Sequence, residues 1–209
     1  SYAQNFGAGF ASFVFSGGPG TGKNHLAAAI GNHLLAAGHT VLVVTIPDLM
    51  LRVRECYDGG QSEASLLDDL CKVDLLVLDE ATSGLDPAAR SEILDILLDF
   101  IQDERHSVLL SSHITTDLEQ IADTIAYLHH GQLLFAKNKD DLMEEYGILR
   151  CSQQDLDRLP PEWIAATCRT AAGCESLVHP RVSVLRALPG VVCDAASIDD
   201  IMRLTSKEG

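Results

Sequence analysis

Residues Gly17-Gly18-Pro19-Gly20-Thr21-Gly22-Lys23 form a run in which four glycines precede a lysine. Glycines at 17, 18, 20 and 22 admit backbone angles barred to other residues, so successive N–H groups can converge on an anion. A helix starting near Lys23 would add the positive end of its dipole. The Lys23 ammonium would then reach the β- and γ-phosphates of a nucleotide. Asn24 follows, where Ser or Thr usually offers Mg²⁺ a hydroxyl; its amide oxygen is an alternative ligand, which leaves more of the metal to waters and to Asp79.

The second chemical element is Val73-Asp74-Leu75-Leu76-Val77-Leu78-Asp79-Glu80, an apolar strand that ends in adjacent carboxylates. Asp79 is the natural acceptor for Mg²⁺ or its waters. Glu80 beside it is placed to orient and deprotonate an attacking water. A glycine loop followed in this order by such a strand specifies a Mg-nucleotide site, with ATP and Mg²⁺ as the expected cofactors.

Strands must present both elements from one edge of a sheet. Phe13–Ser16 reads as a buried strand and Lys23–Ala37 as a helix stopped by Gly38. Thr40–Ile46 is continuous and β-branched, so it reads as a strand buried on both faces. Asp48–Tyr57 and Ser62–Cys71 look helical around a Gly59-Gly60 break. Asp86 caps a helix with Pro87 at its first position, running to about Gln102. Ser107–Ser111 is a strand, and Thr116 with Glu119 forms a capping box opening a short helix. Thr124–Leu128 is another strand, and His130-Gly131 before Leu133–Phe135 predicts a hairpin. Alternating strands and helices imply a three-layer α/β fold with a mainly parallel sheet. The domains expected are a phosphate-loop core over residues 1–147 and a small α/β appendage over 148–209.

The formal charge is −15. Residues 1–80 carry 4 Lys/Arg against 9 Asp/Glu, and the rest carry 11 against 21. With no basic cluster to release counterions, direct nucleic-acid binding is not expected. The six cysteines lack Cys-x-x-Cys spacing and read as reduced, buried thiols. No secretory signal or membrane-spanning run is legible, so the expected location is cytoplasmic, with room to dock at the inner face of a membrane. Ser1 rather than Met opens the chain, which leaves room for an upstream segment.

Two family resemblances meet at Glu80. Phe10–Gly17, Pro19–Ile30, Asp69-Leu70 and Val73–Glu80 resemble the AAA+ ATPase domain of DnaC-type replicative helicase loaders, which carry Asn at the position of Asn24. From Asp79 the chain resembles the ATP-binding subunit of bacterial ABC transporters. Leu78–Pro87 is similar to that family's Walker B segment and D-loop, and Ser111-Ser112-His113 to its switch-histidine segment. Asp123–Gly131, Tyr146–Leu149 and Ala196–Met202 fit its C-terminal part.

The resemblances imply Glu80 and His113 as catalytic residues, Asp79 and Asn24 as metal ligands, and Asp86 as a further nucleotide contact. They also imply that Ser107–Ser111 inserts between the phosphate-loop strand and the Walker B strand. By coverage the leading role is an ABC transporter ATPase subunit, working with a second ATPase subunit and a membrane-embedded transporter subunit. The alternative is a helicase loader whose partner is a replicative helicase. A third is a nucleotide-binding module without motor activity. Tyr57-Asp58-Gly59-Gly60-Gln61 stands where an ABC signature would, but Asp58 replaces its serine, and a carboxylate there would repel a γ-phosphate. Neither family's trans-acting groups are recognisable, so hydrolysis is expected to be slow in isolation.

Overall fold

The computed structural model describes residues 12–58, 70, 72–79, 86–112, 115–170 and 173–206. Contacts divide the chain into two compact units, residues 1–136 and 137–209.

The first unit is built on a six-stranded sheet. Its strands are β1 (Ser12–Ser16), β2 (Val41–Thr45), β3 (Leu75–Asp79), β4 (Ser107–Ser112), β5 (Thr124–His129) and β6 (Gln132–Asn138), in the order β2-β3-β4-β1-β5-β6. The first five pair in parallel. Leu75, Leu76 and Leu78 of β3 are fully buried, and each such side chain contributes roughly 1.5–3 kcal/mol. That burial explains why the run before Asp79 is apolar without alternation.

Helix α1 (Lys23–Ala36) lays Ala27 and Leu34 on a core of Phe13, Phe15, Leu75, Val77, Leu109, Ala126 and Leu128. Helix α2 (Ile46–Asp58) follows β2 directly. Asp86 caps helix α3 (Pro87–Phe100), its Oδ1 accepting from the Ala88 and Ala89 amides at 3.0 Å each. Ile93, Leu94, Ile96, Leu97 and Phe100 form the buried stripe of this helix, the spacing expected of an amphipathic face. β5 turns into β6 through His130 and Gly131, both at positive φ (47° and 77°), which suits a two-residue hairpin.

β4 pairs with β1 on one side and with β3 on the other. The insertion expected of Ser107–Ser111 is therefore what the sheet contains, and a mostly parallel α/β fold is found. Two readings change. Among the described strands β2 lies at the end of the sheet, and it is not buried on both faces, since only Val44 is buried and Val43 is 62% exposed; a β-branched run cannot by itself distinguish a central strand from an edge. The short helix α4 spans Thr115–Ile121, which puts Thr116 inside its first turn rather than at the cap. The helix expected over Ser62–Cys71, apart from Leu70, and the break at Gly59-Gly60 lie outside the described residues.

In the second unit, β7 (Gly147–Cys151), β8 (Ile164–Thr170), β9 (Gly173–Val178) and β10 (Val192–Ala195) form an antiparallel sheet in the order β10-β7-β9-β8. Helices α5 (Lys139–Glu145), α6 (Gln153–Leu156), α7 (Arg181–Ala187) and α8 (Ile198–Thr205) belong to the same unit. Ser197 and Asp200 close a capping box at the start of α8. The contact division falls between Ala136 and Lys137. Within the second unit Glu145 of α5 holds Lys137 Nζ at 3.2 Å and His179 Nε2 at 3.1 Å. Among the described residues no helix is long and apolar enough to cross a membrane.

Candidate functional site

The loop from Gly17 to Gly22 joins the C-terminal end of β1 to the N-terminus of α1. Gly17 sits at φ 144°, and a Cβ there would collide with the backbone carbonyl oxygen of Leu128 in β5. Glycine is thus required by both conformation and space at the point where the loop leaves the sheet. Gly22 is the N-cap of α1 at φ 94°, with no side-chain cap and no acidic residue in the first turn. The leading amides of the helix therefore meet no competing side-chain acceptor from the cap position, the arrangement that favours an anion.

Lys23 is only 4% exposed. Its Nζ donates to the Gly17 carbonyl at 2.8 Å and to the Gly18 carbonyl at 2.9 Å. The Thr21 hydroxyl donates to the same Gly18 oxygen at 2.9 Å. Lysine and threonine thus hold the loop together through its own carbonyls, and a bound phosphate would take the ammonium away from them. Across the sheet, Asn24 Nδ2 donates to Asp79 Oδ2 at 2.7 Å. That bond brings an amide and a carboxylate to one place, leaving oxygen atoms on both side chains. All-oxygen donors of this kind suit a hard cation such as Mg²⁺.

The structure thus brings Gly17, Gly18, Gly20, Thr21, Gly22, Lys23, Asn24 and Asp79 to one end of one sheet; Pro19 lies in the same loop. Asp86 is described as a helix cap. Glu80 and His113 lie outside the described residues, as do Gly59-Gly60-Gln61, and the side chains of Tyr57 and Asp58.

Sequence reasoning assigned no role to Thr45, Asp48 and Arg52. They line a groove of about 450 Å³ that also includes Asp79, with Leu42, Val43, Val44 and Leu51 supplying apolar wall. The parallel register pairs Thr45 with Asp79, so the last residue of the strand next to β3 was a place to look. Thr45 Oγ1 donates to Asp48 Oδ2 at 2.7 Å and accepts from the Asp48 amide at 3.3 Å, a turn that starts α2 at the groove.

The family described as IstB-like ATP binding protein has a model that matches residues 5–125. The uncharacterized protein YdaV of Escherichia coli K12 is 48% identical over 118 residues, which is 56% of this chain and 46% of that protein. A replicative helicase loader DnaC of Buchnera aphidicola (subspecies Baizongia pistaciae) is 43% identical over 120 residues, 56% of this chain and 47% of the loader. The chain spans about half the length of these curated relatives. Domain III of the Thermotoga maritima replication initiation protein DnaA shares the fold, with a TM-score of 0.52 at 17% identity over 61% of this chain and 58% of that one.

These matches reverse the order of the two resemblances. The family model runs to residue 125, well past Glu80, and the named relatives include replicative helicase loaders. The reason is that both resemblances imply the same inserted strand between phosphate loop and Walker B, so residues after Glu80 discriminate poorly when weighed by coverage.

Proposed function

The chain belongs to the IstB-like ATP-binding protein family, and from that premise we propose that it binds Mg-ATP at the phosphate loop as the ATPase of a helicase-loader type of machine. The observation that carries this reading is the Asn24–Asp79 bond beside a glycine-lined loop that holds Lys23. Gly17 to Gly22 and the first amides of α1 receive the phosphates, and Lys23 moves from the loop carbonyls to the β- and γ-phosphates. Asn24 and Asp79 would hold Mg²⁺, which neutralises developing phosphate charge when bound. Glu80 orients the attacking water and takes its proton.

A replicative helicase is the proposed partner, by analogy with what the DnaC relatives are named for. The acidic surface argues against nucleic-acid binding by this chain alone. Hydrolysis is slow in isolation, because an arginine supplied in trans is worth roughly 10³–10⁵ in rate. A cytoplasmic location fits this role. The transporter-type reading, with a second ATPase subunit, a membrane-embedded partner, Asp86 as a nucleotide contact and His113 as a switch, retains the motif residues after Leu78 as its support.

Calorimetric titration with Mg-ATP of the wild type and of Lys23→Ala tests the site. Losing a charge-assisted contact of about 1.5–3 kcal/mol should weaken binding by roughly 10- to 150-fold. Equal affinity in two folded proteins overturns the assignment. Co-elution with a replicative helicase in the presence of ATP tests the partner separately.

A further inference from the structure

The second unit holds four described cysteines whose roles the nucleotide chemistry does not touch: Cys151, Cys168, Cys174 and Cys193, all reduced. The geometry points to Cys151 and Cys174 as an oxidant-sensitive dithiol that closes to a disulfide between β7 and β9.

Cys151 and Cys174 are direct partners in the antiparallel ladder. Opposed residues of such a ladder have Cα atoms about 4.5–5.5 Å apart, inside the roughly 4.4–6.8 Å window of disulfides. Direct opposition also puts both side chains on one face of the sheet, where Cys174 lies in the core with Leu149 and Cys151 packs against it. The Cys174 thiol donates to Gln153 Oε1 at 3.4 Å, so it is directed toward the end of β7 where Cys151 stands. Cys193 shares this face and cluster but is offset along the strand, and Cys168 is on the opposite face. Cys193 lies opposite Leu149, and its Sγ is 2.8 Å from where a Cβ on Gly147 would be, at the far end of β7. Cys168 lies opposite Glu175, one residue out of phase with Cys174.

Accessibility assigns the order of events. Cys151 is half-buried and Cys174 buried. With glutathione disulfide as oxidant, the Cys151 thiolate attacks one glutathione sulfur, forming a mixed disulfide and releasing one glutathione thiolate. The Cys174 thiolate then attacks the Cys151 sulfur, forming the protein disulfide and releasing the second glutathione. Two protein protons are lost and one glutathione disulfide becomes two glutathiones. Burial, with the neighbouring Cys174, Asp155 and Cys193 also contributing, pushes the Cys151 thiol up. Closure is therefore slow and answers sustained oxidation.

The test incubates the folded whole chain with glutathione disulfide at mildly alkaline pH, blocks free thiols, digests and maps peptides by mass. The expected result is a Cys151–Cys174 linked pair, an intact mass lower by about 2 Da, and full reversal by dithiothreitol. Cys193→Ala should link at the same rate, and Cys174→Ala should stop with glutathione on Cys151. Wild type that stops at the mixed disulfide, or that links Cys151 to any other cysteine, overturns the proposal, and this mapping needs no variant to fold.

Discussion

Asn24 and Asp79, 55 residues apart in sequence, are joined side chain to side chain at 2.7 Å. The bond connects the first turn of α1 to the end of β3, the two elements that hold the proposed phosphate and metal contacts. In the proposed site Asn would take the place of a hydroxyl residue, its amide nitrogen donating to the carboxylate and its amide oxygen facing the metal.

Asn24→Asp should set two carboxylates against each other at this contact. The variant is expected to be about 0.5–1.5 kcal/mol less stable than wild type without metal, since the contact is solvent-accessible. Millimolar Mg²⁺ without nucleotide should restore much of that loss. Thermal unfolding of both proteins with and without Mg²⁺ measures it. An identical Mg²⁺ response in the two would separate Asn24 from metal binding.

Gly17→Ala and Gly18→Ala form a contrasting pair. The first must fit a Cβ against the Leu128 carbonyl at φ 144°, whereas a Cβ on Gly18 meets open space. Gly17→Ala should cost about 2–4 kcal/mol in urea unfolding, through overpacking and backbone strain together. Gly18→Ala should change the fold by less than about 0.5 kcal/mol. Comparable losses in the two would mean that the loop is not seated against β5 as described.

Glu80→Gln should keep ATP affinity and abolish hydrolysis, because an amide cannot accept the water's proton. His113→Ala should slow hydrolysis only if the transporter-type switch operates. Single-turnover hydrolysis with enzyme in excess reads both, free of product release. An active Glu80→Gln would remove the general base; an active His113→Ala beside a dead Glu80→Gln would leave a loader-type ATPase and discard the switch.

Acid should weaken the first unit through Asp74. The Thr40 amide, donating at 2.8 Å, lowers its pKa most; modest burial opposes this, and the Thr40 hydroxyl and His39 add to the lowering. A carboxylate depressed in the folded state stabilises above its unfolded pKa, near the ordinary 3.8, and loses that contribution as pH falls through the folded value. Urea midpoints should therefore decline below about pH 4, and Asp74→Asn should start lower at pH 7 and decline less. A variant that tracks wild type at every pH would remove Asp74 from the acid response.

Local chemistry made much of this protein legible in its sequence. The glycine spacing before Lys23, the apolar run into Asp79 and the Asp86-Pro87 cap each depend on neighbouring residues, and each is found where it was read. Strands alternating with helices were enough for a mostly parallel sheet, while the insertion of β4 beside β1 was implied by the two family resemblances. What no local pattern contains is position in three dimensions. Val41–Thr45 has the composition of a central strand, and only pairing made it an edge with Val43 in solvent. Gly17 reads as one flexible residue among several until β5 comes close enough to forbid any side chain. Cys151 and Cys174 look like scattered thiols, and only the register of β7 with β9 sets them face to face. Sequence spacing carries short-range geometry, while contacts between distant segments exist only after the chain has chosen its partners.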